Sequence, residues 1–101
     1  MARVNYLPQA LNDLHGIWRY VYEKSKSVFT ADRLVETIDE TAAIYASRPE
    51  LGVVRPEFDE RIRCFPVGRY VVHYVEIEDG IEIVQVIHGS RDLPRHWRPP
   101  R

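Results

Sequence analysis

The sequence predicts a small α+β domain in which a pair of helices packs on an antiparallel β-sheet. Through the first half of the chain, apolar residues recur at three- and four-residue spacing, the period of a helix face. After residue 60 they form short β-branched runs separated by Gly, Pro and Asp. A length of 101 residues allows one hydrophobic core, so we assign residues 1–101 to a single domain.

The first predicted strand is Val4–Leu7, which ends at Pro8, a residue suited to the first turn of a helix. The helix that follows extends from Gln9 to about Ser25. Its apolar face consists of Leu11, Leu14, Trp18, Val21 and Tyr22. Gly16 weakens this helix by up to about 1 kcal/mol relative to Ala, which indicates close packing against a neighbouring element.

A second helix follows a short polar link and ends at Ser47–Pro49, since the residue before a proline is disfavoured in the α region. Its apolar face consists of Ala31, Leu34, Ile38, Ala42 and Tyr45. Two helices joined by a short link predict an antiparallel hairpin. The segment from Pro49 to Glu60 has no clear period and is interpreted as a connecting loop.

Three strand-like runs follow: Arg61–Phe65, Tyr70–Ile77 and Ile81–His88. Pro66 and Gly68 lie in the first gap, and Asp79–Gly80 in the second is a strong hairpin signal. Strands joined by tight turns pair antiparallel. We therefore expect a three-stranded meander, with the N-terminal run as a possible fourth strand and the helix pair on one face.

The register of this meander is left open by the sequence. A two-residue turn at Asp79–Gly80 would place Ile81, Ile83 and Ile87 on the same face as Val72 and Tyr74. A three-residue turn would instead place them with Val71, Val75 and Ile77.

Charge and cysteine content exclude several classes of protein. The formal net charge of -1 argues against a protein that coats nucleic acid by bulk charge. The single cysteine, Cys64, cannot form an internal disulfide, and no Cys/His spacing suggests a metal site. No apolar signal core or membrane-length segment occurs. We expect a cytoplasmic protein without metal or cofactor.

Arginines are the main candidate functional residues. Arg61 and Arg63 alternate along a predicted strand, Arg69 opens the next and Arg91 follows the last, so they can form a patch that grips phosphate or carboxylate. They can equally be solvated charges that protect strand edges. His88, at the end of the last strand, is a candidate general acid or base, but a lone histidine is more often structural.

The most specific sequence motif closes the last strand, and its residues are Ile81–His88 followed by Gly89, Ser90, Arg91 and Asp92. Further matching segments are Ala10–Leu14 with Ile17 and Tyr20, Arg48–Gly52 with Arg55, and Arg69–Tyr74. In this order, the chain resembles the ParE/RelE superfamily of small toxins from type II toxin–antitoxin modules. The resemblance implies the RelE/ParE-like fold, with an N-terminal strand, a helix hairpin and an antiparallel sheet of three to four strands.

Members of the superfamily are either ribosome-dependent mRNA endoribonucleases of the RelE type or ParE-type inhibitors of DNA gyrase. On the RelE reading the catalytic residues here would be Arg61, Arg63, Arg91 and His88. Two RelE features are missing, because Val71 replaces an arginine and Trp97 falls near the terminal tyrosine, where an indole cannot act as a base. The resemblance therefore favours a ParE-like toxin without catalytic residues. The alternatives are a RelE-like endoribonuclease and a non-toxic relative that only binds its antitoxin.

The resemblance also implies partners. Gyrase would be contacted by the basic, proline-rich C-terminal tail at residues 91–101, through Arg91, Arg95, Trp97 and Arg98. The cognate antitoxin would be a small DNA-binding protein whose C-terminal segment wraps this domain in a hetero-oligomer. Its expected contacts are Arg61, Arg63, Arg69 and Tyr70. Charge is segregated accordingly, with a net of -3 in residues 1–60 and +2 in residues 61–101.

Overall fold

In the computed structural model, which describes residues 2–89, two helices cover one face of a five-stranded sheet. The strands follow the spatial order β1-β5-β4-β3-β2. The elements are β1 (Arg3–Tyr6), α1 (Pro8–Ser25), α2 (Val28–Ser47), β2 (Val53–Val54), β3 (Ile62–Val67), β4 (Tyr70–Ile77) and β5 (Gly80–His88). A short 3-10 turn, Pro49–Leu51, joins α2 to β2.

The helices form the expected hairpin, since only Lys26 and Ser27 separate them. Lys26 ends α1 in the left-handed region, at a φ of 57°, and its N–H donates to the carbonyl of Tyr22. Ser27 caps α2, because its Oγ accepts a hydrogen bond of 3.1 Å from the N–H of Thr30. Two adjacent caps in two residues turn the chain sharply enough for the helices to run antiparallel.

The core lies between the hairpin and the sheet. On the helix side it is built from small and branched residues, and on the sheet side from aromatic and branched residues. Its main members are Ala10, Leu14, Ile17, Ile38, Ala42, Ala46, Phe65, Val72, Tyr74, Ile81, Ile83 and Val86. Tyr45 of α2 stacks on Phe65 with ring centroids 4.4 Å apart. Leu11, predicted on the apolar face of α1, is instead 47% exposed.

The predicted α+β class and the meander β3-β4-β5 are confirmed, while the two outer strands differ from expectation. The N-terminal strand pairs with β5 in parallel, and Gly80 leaves the space that the carbonyl of Arg3 occupies. The segment 49–60, predicted as a loop, contains the 3-10 turn and β2. Pro66 lies inside β3, but β2 pairs only with Arg63 and Cys64, so Pro66 sits where β3 is an edge strand.

The hairpin register matches neither sequence alternative throughout. Ile77 pairs with Gly80, so the two turn residues are Glu78 and Asp79 rather than Asp79 and Gly80. Ile83 pairs with Tyr74 on the helix-covered face, as the first alternative expects. A bulge between His73 and Tyr74 then shifts the register by one residue, so Ile87 pairs with Val71 and faces away from the helices.

Candidate functional site

A groove lies between α1 and the second half of β5, where β1 has already ended. The strand β1 pairs only with Gly80–Ile83, and the last main-chain bond on this side runs from the N–H of Leu7 to the carbonyl of Ile83. Beyond that point α1 takes the place of a neighbouring strand. The groove has a volume of 620 Å³ and opens to solvent.

The helix wall of the groove carries Asn12, Gly16 and Tyr20, which are spaced four residues apart and share one face of α1. A Cβ built on Gly16 would have no heavy atom of the described residues within 4 Å, apart from its own helix backbone and chain neighbours. The expectation that Gly16 packs closely against another element of this chain is therefore wrong. Its missing side chain leaves a notch between Asn12 and Tyr20.

Asp13 joins the helix wall to the strand. Its Oδ2 accepts a hydrogen bond of 2.9 Å from the N–H of Val86, which blocks one edge position of β5. Burial raises the pKa of the Asp13 carboxyl, and the bond from Val86 partly opposes this rise. No Lys or Arg occurs among the described residues that line the groove, so the site favours a cation or an N–H donor.

The sheet wall of the groove ends at Tyr70 and His88, which pair across β4 and β5. Their rings meet edge to face with centroids 5.4 Å apart. Arg69 precedes Tyr70 in the β3–β4 turn, and its carbonyl accepts a bond of 2.7 Å from the N–H of Gly89. The structure therefore brings together three predicted site residues, Arg69, Tyr70 and His88, at the point where residues 90–101 continue the chain.

Arg61 and Arg63 lie at the opposite end of β3, so the arginines predicted as one patch are divided between two ends of the sheet. The guanidinium of Arg61 binds Asp59 through two bonds of 3.0 and 2.9 Å. This contact, together with the bond from the main-chain N–H of Arg61, lowers the pKa of Asp59 to about 2. Arg63 donates to the carbonyl of Gly52 at 2.9 Å and thereby holds the 3-10 turn.

Two further residues with reactive side chains are buried, and the residues predicted to contact gyrase are not described. His73 and Cys64 are buried on the sheet face opposite the helices. Arg91, Arg95, Trp97 and Arg98, predicted to contact gyrase, lie outside the described residues. Within residues 2–89 no three acidic, His or Cys side chains form a metal-binding group. The helices in this part of the chain are too short or too polar to cross a membrane.

Sequence reasoning missed the groove because its two walls come from positions about 70 residues apart. Asn12 and Asp13 belong to α1, whereas Val86 belongs to the last strand, and only the tertiary fold places them together. One local signal was present, namely a glycine within an otherwise regular helical pattern.

Comparisons with known proteins identify the family and the fold of the chain. The family model described as the ParE toxin of the type II toxin–antitoxin system, parDE, matches residues 4–93. A chain in the solved structure of the chromosomal ParDE system from P. aeruginosa superposes with a TM-score of 0.70 at 18% identity. The match covers 87% of this chain and 96% of that one, and it shows a common fold. No curated protein sequence matches significantly.

Proposed function

Since the chain belongs to the ParE toxin family of type II toxin–antitoxin systems, we propose that it inhibits DNA gyrase and is neutralised by a cognate antitoxin. Inhibition of gyrase in a bacterial cytoplasm would block replication and stop growth. The toxin would act by binding its target rather than by cleaving RNA.

The separation of Arg61 and Arg63 from His88 is the observation that carries this choice. RNA cleavage needs a general acid or base and cationic groups within hydrogen-bond distance of one phosphate. Arg63 pairs with Tyr74 and His88 with Tyr70, four residues further along β4, which is about 13 Å of strand. Arg61 and Arg63 are also engaged within the chain, by Asp59 and Gly52. These groups do not converge on a shared phosphate.

Exposed apolar side chains support a protein partner that wraps the domain. Phe29 at the start of α2, Ile44 near its end and Val53 on the edge strand β2 are 77%, 61% and 64% exposed. Their positions on the hairpin and on one sheet edge suit an extended antitoxin segment rather than a single compact interface. Such a segment would fold as it binds, and the resulting hetero-oligomer would include the antitoxin's DNA-binding part.

The proposed antitoxin contacts lie at both ends of β3. A wrapping segment can reach Arg61 at one end and Arg69 with Tyr70 at the other. Arg63 lies at the same end as Arg61, where it holds the 3-10 turn in place through its hydrogen bond to the carbonyl of Gly52. We therefore propose that one antitoxin segment contacts both ends of β3.

The experiment is a supercoiling assay with purified gyrase and the full chain, run beside an assay of mRNA on translating ribosomes after induction. We expect inhibited supercoiling, intact mRNA, and retention of toxicity by Arg61→Ala, whose side chain is solvent-exposed. If the parent chain cleaves mRNA and the Arg61→Ala and Arg91→Ala variants do not, the chain would be assigned to the endoribonucleases. Absence of growth arrest without antitoxin would assign it to non-toxic relatives.

A further inference from the structure

The groove between α1 and β5 is left open to solvent by the described residues 2–89. Gly16 lies in the middle of an 18-residue helix, where glycine is an unfavourable choice, yet a Cβ there would meet open space within residues 2–89. The internal packing of the described chain therefore gives no reason for a glycine. A group that approaches the helix backbone from outside would require one.

The charge of the groove indicates the chemistry of that group. Asp13 is the only Asp, Glu, Lys or Arg among its described lining residues. One oxygen, Oδ2, is bound by the N–H of Val86, and no ion pair to Asp13 occurs within the described residues. Burial without a cation makes the ionised carboxylate unfavourable, which a basic side chain would relieve. Beside it, Ile17 and Val86 offer apolar surface.

We propose that the groove receives the wrapping segment of the antitoxin, with an apolar side chain in the Gly16 notch and a basic side chain at Asp13. This assignment rests on the proposed neutralisation by an antitoxin and names where one part of that partner binds. Gly16 then acts as a specificity-determining position, because it admits a segment that any larger residue would exclude.

The test uses the full chain and its full-length cognate antitoxin, with affinity measured by calorimetry. Gly16→Ala should raise the melting temperature of the free toxin and weaken antitoxin binding at least tenfold. Gly16→Leu should weaken binding at least a hundredfold while the toxin remains folded. His15→Ala is the matched control, because His15 is exposed on the same helix and does not line the groove. Its affinity should stay within twofold of the parent.

Asp13→Asn tests the charge of the site separately. Asparagine keeps an oxygen for the N–H of Val86 but removes the carboxylate, so binding should weaken and depend less on salt than in the parent. An unchanged salt dependence would contradict the basic side chain at this position.

Other outcomes assign the groove differently. If the parent chain binds the antitoxin and Gly16→Leu binds equally well, the assignment is overturned and the proposed function stands. If Gly16→Leu changes only self-association in sedimentation, the occupant is a second copy of the chain. If Gly16→Leu lowers only the stability of the free toxin, and has no effect on the stability of a chain that ends at Gly89, the occupant is residues 90–101. If the parent chain does not bind the antitoxin, both this assignment and the proposed neutralisation by the antitoxin are overturned.

Discussion

His73 and Gln85 are neighbours across β4 and β5, and both are buried. Both ring nitrogens of His73 and the Nε2 of Gln85 find no hydrogen-bond partner within residues 2–89. Phe58 meets the His73 ring edge to face, with centroids 5.4 Å apart. Burial is the main cause that lowers the pKa of His73 to about 4, and the nearby Arg55 adds to it. His73 is therefore neutral at pH 7, and its burial keeps it out of contact with solvent.

This burial predicts a loss of stability in acid. The unfolded chain takes up a proton at His73 near pH 6.5, whereas the folded chain resists protonation until about pH 4. The contribution of neutral His73 to the free energy of unfolding is complete above pH 6.5. It decreases between pH 6.5 and 4, by about 3 kcal/mol in total. His73→Leu should remove this part of the pH dependence. Urea unfolding of both proteins at several pH values measures the difference.

An exposed histidine supplies the control for this prediction. His15→Leu, on the surface of α1, should lose stability in acid as the parent does. The argument from burial would be wrong if His73→Leu and the parent showed the same loss between pH 6.5 and 4.

At the scale of elements, the 3-10 turn Pro49–Leu51 is tied to the sheet by two side chains. The hydroxyl of Tyr74 donates to the carbonyl of Pro49 at 2.6 Å, and Arg63 donates to the carbonyl of Gly52. A Cβ on Gly52 would overlap the Tyr74 hydroxyl. The segment Arg48–Gly52, which contributed to the family resemblance, thus has a structural role in docking α2 onto the sheet.

This contact predicts coupled effects of two substitutions. Gly52→Ala should lower the free energy of unfolding by about 1–3 kcal/mol, because the new methyl group displaces the Tyr74 ring. Tyr74→Phe should cost about 1 kcal/mol through loss of its hydrogen bond. Together they should cost less than the sum, since Phe lacks the hydroxyl that lies nearest to the added methyl group. Denaturant unfolding of all four proteins tests this, and strict additivity would contradict the overlap.

Elements whose signals are local could be predicted, and those that depend on distant pairing could not. The helix period and the Asp79–Gly80 turn signal lie within short windows, so α1, α2 and the meander were predicted correctly. The parallel pairing of β1 with β5 joins residues about 77 positions apart, and β2 has only two residues. The bulge at His73/Tyr74 likewise depends on the pairing of two strands, so neither turn alternative could describe both halves of β5.

At the scale of the whole molecule, one feature of the candidate site could be predicted from the sequence and another could not. The groove could not be predicted because α1 and β5 meet only in the folded chain. The charge segregation could be read from the sequence, and a finer division of the sequence locates it more narrowly. Residues 61–89 carry three basic and four acidic side chains, whereas residues 90–101 carry four basic and one acidic. The positive excess of the C-terminal half therefore comes from residues 90–101.

Together with the proposed inhibition of gyrase, this distribution predicts which charges would contact that target. Replacement of Arg91, Arg95 and Arg98 together by Gln should weaken inhibition of gyrase supercoiling at least tenfold, because guanidinium groups that bind carboxylate or phosphate in pairs of hydrogen bonds are lost. The matched control replaces Arg19, Lys24 and Arg33, which are exposed on the helix hairpin, by Gln.

The control also removes three positive charges and should inhibit gyrase within twofold of the parent. Equal losses in the two variants would mean that net charge steers association and that no local contact is made by residues 90–101. In that case inhibition would fall steeply with salt in parent and control alike. A selective loss in the first variant, with a smaller salt dependence, would place the gyrase contact in the segment that holds the positive excess.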